Sequence, residues 1–102
     1  MLTSDMVIEW LRFEVPIALR TAFLERDAQI WTQALSTYPG FISKETWFEP
    51  ATNATIAVIR WESLQHWKSI PRSDLELLDS QMEELLMPVL ECKTFEVAES
   101  QR

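Results

Sequence analysis

Residues 55–62, Thr-Ile-Ala-Val-Ile-Arg-Trp-Glu, constrain the fold more than any other stretch of the chain. The run is rich in β-branched side chains and places apolar groups on both faces of an extended backbone. That pattern belongs to a strand in the middle of its sheet. The run sits inside a longer segment, 38–67, that holds Trp47, Trp61 and Trp67, three of the five tryptophans. Tyr38-Pro39-Gly40 opens the segment as a helix stop, because proline cannot continue a helix and glycine accepts a left-handed turn. Residues 41–49 read as a partner strand, and Pro50, Thr52 and Asn53 mark the connection between the two. Ser63 is the N-cap of a short helix that runs through Trp67 and ends by Pro71.

The flanking elements follow from periodicity. Residues 6–15 form a first strand, with Val7, Glu9, Leu11, Phe13 and Val15 on one face and Ile8, Trp10, Arg12 and Glu14 on the other. Pro16 suits the first position of a helix. From there to residue 37, Leu19, Phe23, Ile30, Ala34 and Leu35 recur at helical spacing with Trp31 beside them, and Asp27 interrupts the stripe and is expected at its edge. Ser73-Asp74-Leu75-Glu76 is a capping-box sequence. It starts a second long helix with Leu75, Leu78, Met82, Leu85 and Leu86 inside, acidic residues outside and a stop at Pro88. Residues 89–97 alternate as a fourth strand. The ends, 1–5 and 98–102, are polar and expected to fray.

The order β-α-β-β-α-β predicts an α+β domain. Two right-handed crossovers give a ferredoxin-like, four-stranded antiparallel sheet with both helices on one face. With 102 residues there is room for one such domain, with its core over about 6–97. Ile8 and Trp10 alternate with Leu11 and Phe13, and Ile56 and Val58 with Ala57 and Ile59, so the face away from the helices also carries large apolar groups. Leaving them wet would forgo several kcal/mol at about 25 cal/mol per Å². A second copy packed on the open sheet face, giving a homodimer, is the expected solution.

Composition excludes several classes. A formal net charge of −7 opposes nucleic-acid and anionic-membrane partners. No apolar run approaches the roughly 20 residues that span a bilayer. No secretory signal is visible, and the single cysteine, Cys92, cannot form an internal disulfide, so a cytoplasmic location is expected. The sequon at Asn53-Ala54-Thr55 is then a chance match. One glycine leaves no phosphate-binding loop, and one histidine and one cysteine far apart make no metal site. No cofactor is expected.

The Pro39-Gly40-Phe41 turn, the strand ending Val58-Ile59-Arg60-Trp61-Glu62-Ser63 and the helix over Leu64–Trp67 resemble the antibiotic-biosynthesis-monooxygenase-like group. The resemblance covers residues 6–97 in element order. It implies a dimeric α/β barrel built from ferredoxin-like protomers. Members include cofactor-independent oxygenases of polyketide-like or quinol aromatics and haem-degrading oxygenases, and others have no assigned chemistry. The haem-degrading members use an asparagine on the first strand, and a tryptophan and a histidine after the third. Here the first strand offers Trp10, Arg12 and Glu14, the sole asparagine is Asn53 in a loop, and the sole histidine, His66, comes too early. Only Trp67 stands near a family position, which disfavours haem degradation.

Five residues are therefore ligand-binding candidates. Trp67 either lines a cleft beside the sheet or packs the short helix on the core. Trp10 stacks on a planar ligand or fills a dimer core. Arg12 and Arg60, like Lys44 and Glu45, sit in strands suited to burial and need partners: each other, Glu9 or Glu14, or an anionic ligand. His66 is an acid–base candidate by its reference pKa near 6.5, or a solvated residue at a helix start. Cys92 is expected to be a small packing residue. Two functions follow: a dimer that binds or oxidises a small apolar or aromatic molecule without a metal cofactor, or a non-catalytic interaction or ligand-sensing domain. An enclosed cavity at Trp67 or Trp10 with a convergent polar group separates them.

Overall fold

The computed structural model describes residues 5–98; the outermost residues, 1–4 and 99–102, where frayed ends are expected, lie outside the described residues. Four strands, β1 (Val7–Phe13), β2 (Phe41–Glu49), β3 (Ala54–Trp61) and β4 (Val89–Glu96), form one antiparallel sheet in the order β2-β3-β1-β4. This is the ferredoxin-like α+β arrangement. As its β-branched sequence requires, β3 is interior, and every residue of it except Arg60 is buried.

The register sorts the side chains. β1 pairs with β3 from Val7 opposite Trp61 to Phe13 opposite Thr55. Val7, Glu9, Leu11 and Phe13 therefore share a face with Thr55, Ala57, Ile59 and Trp61, and on β2 with Lys44, opposite Ile59. The helices cover this face. Val7, Ile59 and Trp61 pack with Leu35 and Ile70 at one end, and Val15, Phe23, Met82 and Leu85 form a second cluster at the other. Trp31 packs against both clusters.

The first helix starts as a 3₁₀ turn, Ile17–Leu19, directly after Pro16. It continues as α1 (Arg20–Asp27), widens into a π-helical segment at Ala28–Thr32, and closes as α2 (Gln33–Leu35). The spacing explains what the wide turn achieves. Phe23, Asp27, Trp31 and Leu35 recur every four residues, and in a regular α-helix each such step drifts by about 40°. A π turn, closed i to i+5, absorbs that drift and holds the four in line. Asp27 is thus not at the edge of the stripe, as expected, but in its middle.

Gly40 closes the turn from α2 to β2 with φ of 87°, and its carbonyl accepts the Glu62 N–H at 2.7 Å. A Cβ at Gly40 would land on the His66 ring. The Pro-Gly-Phe turn and the helix after β3 are therefore fitted to each other. That helix, α3 (Leu64–Lys68), is capped as expected: the Ser63 hydroxyl accepts the His66 N–H at 3.2 Å.

Three boundaries differ from expectation. β1 is shorter than 6–15, because Val15 leaves the sheet for the second core cluster. The Ser73 capping box does not form: α4 (Arg72–Met82) begins two residues earlier, with Pro71 at its N-cap and the Pro71 carbonyl accepting the Asp74 and Leu75 N–H groups. It also ends before Pro88, since Glu83 takes φ of 53° and the chain tightens into a 3₁₀ turn, Glu83–Leu85. Arg26 Nη1 donates to the freed Met82 carbonyl at 3.0 Å and so ties α1 to the end of α4. No helix among the described residues is long and apolar enough to cross a membrane.

Candidate functional site

Between the helices and the sheet the two core clusters, bridged by Trp31, leave a cavity of about 600 Å³. Its size is that of pockets for small organic ligands, roughly 300–1,000 Å³. Leu11, Ala57 and Ile59 form its floor, Phe23, Trp31 and Leu35 one wall, and Ile70, Leu75 and Met82 another. Trp67 lines it from the short α3. Four ionisable side chains break this apolar surface: Glu9, Asp27, Lys44 and Asp79.

Two of these four neutralise each other. Lys44 Nζ donates to Asp27 Oδ2 and, at 2.8 Å, to Thr32 Oγ1. The Lys44 side chain is only 5% exposed and that of Asp27 14%, so the pair is held largely out of water. The π turn supplies Thr32 as the extra acceptor, which is how a buried ammonium finds more than one partner.

Glu9 and Asp79 have no such compensation. Glu9 sits on β1 in a row of apolar residues, and its Oε1 accepts the Trp61 Nε1–H at 3.1 Å. Burial pushes its carboxyl above the ordinary range, and the Trp61 hydrogen bond, Lys68 and Lys44 offset this only in part. Asp79, one turn beyond Leu75 on α4, is also pushed up by burial. Neither forms an ion pair among the described residues.

The five sequence-derived candidates separate. Trp67 is at the cavity, packed against the Trp61 cluster, with Lys68 Nζ 4.2 Å from its ring centroid. Trp10 lies on the opposite sheet face, edge-on to Phe95 at 6.5 Å with Lys93 Nζ 4.9 Å from its ring. Arg12 pairs with Glu91 at 3.3 Å and Arg60 with Glu45 at 2.7 Å, both on that opposite face. Of these pairings only Arg60–Glu45 joins residues named together from sequence. His66 does not line the cavity; its Nδ1 lies 2.8 Å from the Ser63 hydroxyl and its ring rests on Gly40. Cys92 is exposed rather than packed, because the β4 edge that carries it has no helix over it.

Sequence reasoning passed over Glu9, Asp79 and Trp31 as site residues. Glu9 carried the clearest signal, a carboxylate alternating with Val7, Leu11 and Phe13 on the core face. Asp79 was grouped with the solvated acidic residues outside the second long helix, and it is exposed as expected, but unlike Glu83 and Glu84, which pair with Arg26, it also lines the cavity. Among the described residues no three His, Cys, Asp or Glu side chains cluster as metal ligands.

No family model matches the chain, and no curated protein matches its sequence. Solved structures do match. A protein of Deinococcus radiodurans named for antibiotic biosynthesis monooxygenase superposes with TM-score 0.70 at 13% identity, over 94% of this chain and 96% of that one. SnoaB, a cofactor-independent oxygenase from Streptomyces nogalater, gives TM-score 0.65 at 16% identity, over 95% and 97%. MhuD, a haem degrader from Mycobacterium tuberculosis with two haems bound in its active site, gives 0.70 at 18%, over 94% and 99%. At these identities the likeness is one of fold. The resemblance read from the sequence holds at that level: the chain has the antibiotic-biosynthesis-monooxygenase fold.

Proposed function

We propose that the protein binds a small apolar or aromatic molecule in the cavity between sheet and helices, and that it acts as a homodimeric, cofactor-independent oxygenase of that molecule. The observation that carries the binding reading is the cavity itself, about 600 Å³ of largely apolar space kept open inside a 102-residue chain. The likeness to SnoaB, named as a cofactor-independent oxygenase, supports the choice of chemistry. Glu9, a carboxylate made more basic by burial, supplies a group able to take a proton from a bound hydroxyl or acidic C–H.

The haem reading that MhuD raises has less support. Among the cavity-lining residues there is no histidine, cysteine or tyrosine, and His66 is engaged by Ser63 and Gly40. These residues do not fit a haem held through an axial histidine. The homodimer rests on the open sheet face, where Trp47 is 44% and Phe95 45% exposed beside Trp10. Light scattering on a size-exclusion peak is expected to give the mass of two chains, and a one-chain mass at high concentration would remove that part of the reading.

Titration with naphthol, followed by tryptophan fluorescence, tests the binding. Trp31 and Trp67 line the cavity, so saturable quenching is expected, and Ala57→Leu, which fills the floor, should abolish it. Oxygen consumption with hydroxylated aromatics then separates an oxygenase from a non-catalytic binding or sensing domain. Quenching that is absent, or that survives the filled floor, counts against the cavity as the site.

A further inference from the structure

We infer that the cavity is built for a ligand carrying a positive charge, a protonated amine on a small aromatic framework. The inference rests on the reading of the cavity as a ligand site and adds the chemical class of what enters it. It starts from the charges that face the space: three carboxylates, Glu9, Asp27 and Asp79, against one ammonium, Lys44.

Lys44 is not available to an anionic ligand. Its ammonium already holds Asp27 and Thr32, and with the side chain 5% exposed it has little room to turn away from them. An anion entering the cavity would have to break that pair, leaving Asp27 uncompensated in a dry site, which is strongly unfavourable. It would also face Glu9 and Asp79 at like charge.

The two remaining carboxylates have the opposite preference. Glu9 Oε1 accepts the Trp61 indole N–H, and Oε2 accepts no hydrogen bond among the described residues, yet it is not sealed off by protein atoms. Asp79 has neither an ion pair nor a hydrogen bond among the described residues. Desolvation raises the carboxyl of Glu9, which Lys68 and Lys44 offset only in part, and that of Asp79, which lines the cavity from an exposed position on α4. A bound ammonium supplies the counter-ion and several N–H donors together. Trp31 adds an aromatic wall that suits the same chemistry, while the Trp67 ring already carries the Lys68 ammonium. At longer range the net charge of −7 draws cations toward the protein and repels anions.

The test compares naphthylmethylamine, naphthol and naphthoate, which share a ring system and differ in charge, by calorimetric titration at neutral pH and moderate salt. The amine is expected to bind about tenfold or more tighter than naphthol, and naphthoate weakest of the three. Glu9→Gln should remove most of the amine's advantage over naphthol, and Asp79→Asn should remove part of it. Glu25→Gln, which deletes an exposed charge on the outer helix surface, should change neither. Naphthoate binding as tightly as the amine, or an amine advantage indifferent to both Glu9→Gln and Asp79→Asn, overturns the charge preference while naphthol binding keeps the cavity reading intact. An equal loss in Glu25→Gln assigns the effect to overall charge and also overturns it. If none of the three probes binds, the cavity reading and the charge preference fall together.

Discussion

On the helix side of the sheet, ionisable groups are few: Lys44 is locked to Asp27 out of water, Glu9 is largely desolvated with no ion pair, and Asp79 reaches the cavity from an exposed position on α4. On the opposite side Arg12, Arg60 and Lys93 meet Glu91 and Glu45 as hydrated pairs, with side chains 28% to 50% exposed, between the edges of Trp10, Trp47 and Phe95. The same strands supply both sets, alternating residue by residue. The difference lies in what covers them. Helices over one face remove water and leave each charge to be answered by protein or by a ligand. The uncovered face answers its charges locally and cheaply, and it keeps its aromatic edges for a second sheet. Charge is a property of the site on one face and a means of solubility and register on the other.

The largest expected effect comes from cutting the buried pair. Lys44→Ala strands the Asp27 carboxylate and should cost about 3–5 kcal/mol, because half of a buried pair is worse than none. A urea melt would show the midpoint falling without a change in slope. Replacing both partners, as in Asp27→Leu with Lys44→Met, should recover more than half of the loss. If the single substitution costs no more than a typical surface pair, up to about 1 kcal/mol, the contrast between the faces is wrong.

Glu9→Gln comes next, with the opposite sign. Gln keeps an oxygen for the Trp61 N–H but drops the charge that burial disfavours. Because the folded Glu9 carboxyl titrates above its ordinary 4.5, its contribution to stability is fully present below that value and is lost as pH rises through the folded pKa. The variant should therefore melt higher than the parent at neutral pH, and the gap should close as pH falls toward 4.5. A constant gap across that range would mean that packing, not ionisation, separates the two proteins.

How much of this was legible in the sequence divides along the same line. The two-sided apolar pattern of residues 55–62 placed β3 inside the sheet, and Gly40 and Ser63 marked turns that the structure uses, because such signals depend on the backbone a few residues away. Lys44 and Asp27 were each visible as charges in places suited to burial. Their pairing was not, since it needs the extra residue of a π turn at Ala28–Thr32. Glu9 was on the correct face but, without a cavity, read only as a possible ion-pair partner. Asp79 was hidden among neighbouring acidic residues, because it is exposed like them and only its place beside the cavity distinguishes it. Trp67 was identifiable because an aromatic on a short helix beside the sheet has few places to go. The covered face depends on long-range packing, and sequence periodicity reports it only coarsely.

The smallest effect tests the uncovered face. Glu45 accepts from the Trp47 indole N–H at 2.9 Å and from Arg60 at 2.7 Å, and these two hydrogen bonds, the indole first, hold its carboxyl below the ordinary range. The sign is the reverse of Glu9: the contribution is present above the ordinary value of 4.5 and disappears as pH falls through the lower folded pKa. Glu45→Gln should thus leave the melting temperature nearly unchanged at neutral pH in moderate salt, because water already solvates both partners. Its effect should appear as a shallower loss of stability between neutrality and acid, opposite in slope to Glu9→Gln measured beside it. In a dimer closed over this face the pair would lose its water, so the same substitution should then weaken self-association more than it weakens the fold. Sedimentation of Glu45→Gln across a range of concentrations reads that difference directly, and a dimer as tight as the parent's would place the partner sheet elsewhere.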